Sequence, residues 1–179
     1  MDEVPCQWFA LRATYNRSLK VQAALQAVGI RTFVPMRRVR RKIRGKERVL
    51  TMPAVGNLLF AFSTQQRLYE YILSEGDQSM TRFIWDRVSR LPLTVPDKQM
   101  EDFMRVCAEP SEDLVYVKTP DPKLFQGARV RVLRGALQGV EGRVVRIRKS
   151  RRVLVDLPGL LSVASTYVPV GDLQVISDD

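Results

Sequence analysis

Eight of the twelve residues in the run RRVRRKIRGKER, positions 37 to 48, are lysine or arginine, with Glu47 the one acid among them. Arg37, Arg38, Arg40, Arg41, Arg44 and Arg48 each offer a planar fork of N–H donors, and Lys42 and Lys46 each add a compact positive charge. Such side chains hold phosphate oxygens well. Contacts of this kind weaken steeply with salt and carry little sequence information. The plainer reading of any charge run is a solvated face, but a density this high exceeds what solubility requires. A second basic group, Arg143, Arg146, Arg148, Lys149, Arg151 and Arg152, follows near the C-terminus. It suits contact with RNA or a protein partner, or simple surface charge.

Catalytic chemistry is poorly supplied. The chain contains no histidine, which removes Ser-His-Asp and Cys-His catalysis, imidazole metal sites and the usual proton shuttle near neutral pH. Cys6 and Cys107 lie far apart and cannot make a zinc site alone. No P-loop, no GxGxxG after a strand and no CxxC occurs. Asp97, Glu101 and Asp102 gather near one helix start, where acids cap the helix and favour its dipole. The expectation is a protein that is not an enzyme, with no cofactor and no metal.

Composition agrees with a binding role. The chain has 179 residues, 45% of them hydrophobic, and 29 Lys and Arg against 19 Asp and Glu give a net charge of +10. That excess points to an anionic partner, nucleic acid ahead of membrane. No apolar run approaches the roughly 20 residues that cross a bilayer. The acidic start, Met1-Asp2-Glu3-Val4-Pro5, lacks the order of a signal peptide. A monomer in the cytoplasm with reduced thiols is expected.

The elements that must position these residues follow from periodicity. Gln7 to Ala13 reads as a buried strand. Asn16 is placed to cap a helix with Val21, Ala24, Leu25 and Val28 on one face and Gly29 past its end. A strand over 30–34 stops at Pro35. The basic run reads as a long exposed hairpin turning at Gly45, or as a disordered loop. Asn57 to Phe62 is apolar enough for a central strand, and Thr64 can cap a helix carrying Leu68, Tyr71 and Ile72, closed by Gly76. A strand over 80–85 precedes a third helix opening at Pro96-Asp97, with Met100, Phe103, Met104 and Cys107 inside. This is an α+β layer domain over 1–109. Residues 110–123, rich in Pro and acids, form a linker, from which 114–117 could add a strand to the first domain. Strands at 129–133, 141–147, 152–156, 162–168 and 173–176 then describe a small closed β-barrel domain over 124–179.

The segment FQGARVRV at 125–132 with GALQGVEGRV at 135–144 resembles a KOW motif. The N-terminal half is similar to the NusG family of transcription elongation factors. Trp8-Phe9, the stretch from Gly29 to Pro35, the basic hairpin, Leu58-Leu59-Phe60, and Leu93-Thr94-Val95-Pro96-Asp97 carry that likeness. Together these imply a NusG-type N-terminal (NGN) α/β layer domain, its mainly antiparallel sheet flanked by helices, and a C-terminal KOW-containing SH3-like barrel. Within the family the chain is similar to the specialised, operon-specific antiterminators, RfaH-like and especially of the UpxY type serving capsular polysaccharide loci; the stretch VLVDLPGLL at 153–161 leans that way.

The resemblance implies an antiterminator that binds the clamp helices of the RNA polymerase largest subunit and suppresses pausing or termination. Val55, Leu58, Phe60, Met100 and Phe103 match the family's apolar depression, although the same five also read as plain core. Arg17 and Lys20 match positions that face the non-template DNA strand in specialised members, or lie on a solvated helix face. The implied partners are RNA polymerase, DNA or nascent RNA, and, through the KOW domain, termination factor Rho or a small-subunit ribosomal protein. One departure stands out. Where the family often has Phe-Pro-Gly/Asn-Tyr before the central strand, this chain has Val55-Gly56-Asn57-Leu58. The alternative is a ribosome- or RNA-associated KOW protein with no role at the clamp.

Overall fold

The computed structural model describes residues 4–76, 79–118 and 126–177. They fall into two compact units, one of residues 1–36 with 51–97 and the other of 37–50 with 98–179. Phe125 of the KOW resemblance and 119–123 of the expected linker lie outside the described residues.

The first unit is built on strand β1 (Gln7–Ala13), in which Trp8, Phe9, Ala10 and Leu11 are all buried, as both faces of a central strand must be. Strand β5 (Leu58–Ser63) pairs antiparallel with β1 from Gln7↔Ser63 to Arg12↔Leu58. Strand β2 (Arg31–Phe33) lies on the far side of β5. Strands β6 (Thr81–Phe83) and β7 (Thr94–Val95) share the other edge of β1.

Period-two alternation sorts the apolar residues. Phe9, Leu11, Leu59 and Ala61 share one face and cluster with Val21 and Leu25 of helix α1 (Ser18–Ala27) and Leu68 of helix α2 (Gln65–Ser74). Each buried Phe, Leu or Val side chain among them contributes about 1.5–3 kcal/mol. Trp8, Ala10, Leu58 and Phe60 point to the opposite face and are also buried.

Helix starts differ from expectation in one case. Thr64 caps α2, its hydroxyl oxygen accepting from the Arg67 amide at 3.2 Å. Asn16 caps nothing. It sits in a 3-10 turn, Thr14–Asn16, and α1 begins after Arg17 with no side-chain cap. The cause is backbone conformation: Tyr15 and Asn16 both take left-handed φ values, 53° and 54°. An N-cap needs extended backbone instead. At the other end, Val28 closes α1 as an exposed residue, so the inner face is Val21 and Leu25.

The second unit holds a two-stranded arm, a helix and a six-stranded sheet. The arm is β3 (Met36–Ile43) and β4 (Lys46–Pro53), joined by Arg44-Gly45. Helix α3 spans Asp97–Cys107. The sheet contains β8 (Val115–Val117), β9 (Arg129–Val132), β10 (Glu141–Ile147), β11 (Ser150–Leu157), β12 (Leu161–Ala164) and β13 (Leu173–Val175), ordered β13-β9-β10-β11-β12-β8 and antiparallel throughout. Gly142 and Gly127 are required where strands press together. A Cβ on Gly142 would lie 2.3 Å from the Leu154 carbonyl oxygen, and one on Gly127 only 1.7 Å from that of Val144.

Two features of this sheet depart from the expected five-stranded closed barrel. Val115–Val117 pairs with β12 and so extends the C-terminal sheet, not the N-terminal one. Among the described residues β13 and β8 are the two ends of the hydrogen-bonded order, with no rung joining them.

Candidate nucleic-acid interface

The arm is where cations are densest. Eight residues in each strand carry it about 26 Å along the chain direction. The turn residues Arg44 and Gly45 have φ of 49° and 80°, the left-handed pair that matches the twist of a two-residue hairpin. Toward the tip both faces are solvent-exposed, so the disordered-loop alternative gives way to an ordered, solvated hairpin.

Acids neutralise little of it. Arg40 is gripped by Glu112, with Nε and Nη2 donating to its two carboxylate oxygens at 3.3 and 3.2 Å, and Glu47 lies 3.7 Å away. These carboxylates hold the Arg40 guanidinium above its ordinary pKa, the Glu112 hydrogen bond most of all. Arg38 donates to the Pro110 carbonyl at 3.2 Å. Among the described residues, the side chains of Arg37, Arg41, Lys42, Arg44, Lys46 and Arg48 meet no partner. A row of unpaired guanidinium and ammonium groups is what a phosphate backbone needs.

A second cationic site lies where β1 runs into α1. Tyr15 is 85% exposed, with the Arg17 guanidinium over its ring, 5.7 Å from the ring centroid. Arg17 also donates to the Met80 sulfur at 3.6 Å. The turn is fixed by backbone hydrogen bonds from Thr14 N to Met80 O, Arg17 N to Thr14 O and Ser18 N to Gly56 O. Exposed Lys20 follows on the first turn of α1. One rung earlier, Arg12 on β1 stands directly opposite Arg82 on β6. Arg82 turns Nη1 to the carbonyls of Ser79 and Thr81 at 3.0 and 2.8 Å. An exposed phenol ring with a guanidinium beside it can stack a nucleobase while neighbouring cations hold phosphate. Arg17 and Lys20 were legible in the sequence. Tyr15, Arg12 and Arg82 were not, because the left-handed turn and the β1–β6 register that expose and align them are tertiary facts.

The C-terminal basic group is smaller than its sequence suggests. Arg152 is 7% exposed, with Nη1 donating to the carbonyls of Asp113 and Ser165. Arg143 donates to the Gly127 carbonyl at 3.1 Å. What remains at the β10–β11 tip is Arg146 opposite Arg151, and Arg148-Lys149 in the turn itself with φ of 49° and 64°.

The five apolar residues matched to a polymerase-binding depression are placed as follows. Leu58 and Phe60 lie on the sheet face opposite α1 and α2, with exposures of 4% and 0%. On that face Trp8 stacks near Phe62 at 5.4 Å and under the Arg31 guanidinium at 5.1 Å, and Phe33 lies 6.5 Å from Phe60. Val55, in the turn before β5, is half-buried. Met100 and Phe103 are fully buried on α3. None of the five presents a fully open apolar surface in this structure.

Helix α3 is fastened within its own unit. Lys98 pairs with Asp102 and donates to the Gly139 carbonyl at 3.0 Å, and Asp102 accepts from the Glu141 amide at 3.1 Å. Gln99 donates to the Asp156 carbonyl, and Arg105 to that of Ala136 at 2.9 Å. Just past the helix, the Glu109 carboxylate accepts from the Thr166 amide and hydroxyl. Asp102 is therefore committed to structure. Among the described residues no cluster of His, Cys, Asp and Glu gathers that could hold a metal ion. No helix among them is long and apolar enough to cross a membrane.

The family model described as "NusG: Transcription termination factor nusG" matches residues 6–104. Among curated proteins none matches. A solved structure titled "Domain interaction in Thermotoga maritima NusG" is similar at 19% identity and a TM-score of 0.47, covering 96% of this chain and 98% of that one.

Proposed function

Because this chain belongs to the NusG family of transcription factors, we propose that it regulates elongation and termination by binding RNA polymerase, as an antiterminator that suppresses pausing. The observation that carries this reading is the β3–β4 arm, an ordered hairpin with six cations unpaired among the described residues. An arm of that charge beside a polymerase would lie on DNA or nascent RNA, with the Tyr15 turn, Arg17 and Lys20 taking a single strand.

The contact with polymerase is assigned to the tip of the clamp helices, through Val55, Leu58, Phe60, Met100 and Phe103. Four of these are buried here, so docking takes them out of their present packing, while half-buried Val55 is reached first. No chemistry is required. A ligand that binds the pause-resistant state of polymerase better than the paused one shifts their populations by its differential affinity. The KOW sheet would recruit a second partner, Rho or a small-subunit ribosomal protein, and tethering raises that partner's effective concentration. The finer assignment is to the operon-specific, UpxY-type branch, supported by the stretch at 153–161.

The test is single-round elongation on a template with defined pauses. Adding the protein to core RNA polymerase should shorten pause lifetimes, and equal lifetimes would overturn the reading. Val55→Asp reads the clamp contact without emptying a core. It should weaken binding to isolated clamp helices, and unchanged binding by the folded variant would remove that site.

A further inference from the structure

Between β6 and β7 the chain makes a short protruding turn that neither the arm nor the clamp contact uses. Its tip is apolar. Trp85 is 55% exposed, Leu91 62% and Val88 92%, the highest exposure of any large hydrophobic residue described. Isolated exposed apolar side chains need no explanation, but three within seven residues on one turn do.

The turn is also rigid. The Asp86 carboxylate accepts from the amides of Val88 and Ser89 at 2.9 and 2.6 Å, and the Ser89 hydroxyl accepts from Leu91 N at 3.3 Å. Backbone bonds run from Asp86 N to Leu91 O, Arg90 N to Asp86 O and Leu93 N to Ile84 O. A bridge joins Trp85 to Pro92, and the Trp85 ring meets Phe83 edge-on at 6.2 Å. The amide hydrogen bonds at Ser89 and Val88 hold the Asp86 carboxyl below its ordinary range. Its charge is thus used inside the loop. Arg87 and Arg90 on either side are exposed and make no ion pair among the described residues, Arg90 being held at a left-handed φ of 59°.

We infer that the Trp85–Leu91 turn is a preorganised protein-docking element, and that its partner is an apolar recess rimmed by carboxylates on RNA polymerase, separate from the clamp contact. The inference rests on the reading that this protein acts on polymerase. A protein partner is favoured over nucleic acid because the outermost side chain is an aliphatic one. The nucleic-acid sites described above put cations or a ring at their tips. Charge complementarity sets the rim, since Arg87 and Arg90 require acids opposite. Rigidity makes the surface efficient, because little conformational freedom is left to lose on binding.

The experiment measures affinity of the full chain for core RNA polymerase and, in parallel, for a single-stranded oligonucleotide. Val88→Asp and Leu91→Asp alter exposed side chains, and thermal unfolding confirms that each variant folds. Each should weaken polymerase binding by about ten-fold or more, as loss of a buried anchor does, and leave the oligonucleotide affinity unchanged. Arg87→Glu with Arg90→Glu should weaken it as well, with the difference shrinking as salt rises. Unchanged polymerase affinity in the folded variants overturns this inference while the proposed function stands. A fall confined to the oligonucleotide also overturns it, making the turn a nucleic-acid contact. Failure of the wild type to bind polymerase removes both.

Discussion

Arg152 brings a charge into the C-terminal sheet at 7% exposure, and no carboxylate among the described residues pairs with it. Two backbone carbonyls, of Asp113 and Ser165, stand in for an acid, while Nε has no partner among the described residues. Arg152→Ala would leave both carbonyls short of a donor and open a cavity. It should cost about 2–4 kcal/mol, read as a lower urea midpoint, and an unchanged midpoint would show that the carbonyls find other donors. Tyr15 presents the opposite case. Its left-handed backbone costs an L-residue about 1–2 kcal/mol, and its exposed ring recovers little by packing. Tyr15→Gly should therefore keep or slightly raise thermal stability while weakening single-stranded oligonucleotide binding several-fold. Stability and binding falling together would make the ring a structural one.

The arm is an element whose worth is read from its salt dependence. Each phosphate contact adds about 0.9 to the slope of log affinity against log salt on duplex DNA. Replacing Arg41, Lys42, Arg44 and Lys46 with Ala should make that slope shallower by about 3.6 if each holds one phosphate. An unchanged slope would mean that these side chains are only solvated. The arm is legible in the sequence, because β-formers alternate through the charges and Gly45 marks the turn. So are the sheet around β1 and the strands from β9 to β13, where period-two patterning survives. Strand β8 was assigned less well, since three residues among prolines carry no period and only β12 decides where they pair. The interior position of Arg152 was hidden for a related reason: the register Val145↔Arg152 is set by the neighbouring strand. Glu141 shows what such registers can build. It clamps Arg131 at 2.8 Å and Arg129 at 3.3 Å on the adjacent strand, and Arg131 above all holds its carboxyl below the ordinary value of 4.5. A depressed folded pKa gives stability that is present above the unfolded value and is lost as pH falls through the folded one. Glu141→Gln should flatten that acid limb in urea titrations, and an identical limb would put its source elsewhere.

At the scale of the whole molecule, the proposed docking and the observed packing make opposite demands on α3. Polymerase contact through Met100 and Phe103 needs their side chains free, yet both are fully buried, and α3 is fastened to the C-terminal sheet through Lys98, Gln99, Asp102 and Arg105. Cys107, at the end of the same helix, reports on which demand prevails. Burial pushes its thiol up to about 12, a hydrogen bond with Tyr116 of β8 pulling the other way, whereas Cys6 is exposed. Only a thiolate alkylates readily, so the free protein near neutral pH should take up label at Cys6 alone, and at both thiols in denaturant. Saturating core polymerase should then accelerate labelling of Cys107, because a helix lifted from its sheet carries its last turn into solvent. If the protein binds polymerase and Cys107 stays as slow as before, α3 has not moved. Met100 and Phe103 then serve the core, and the contact must be sought among residues already at the surface, with Val55 and the Trp85–Leu91 turn first in line.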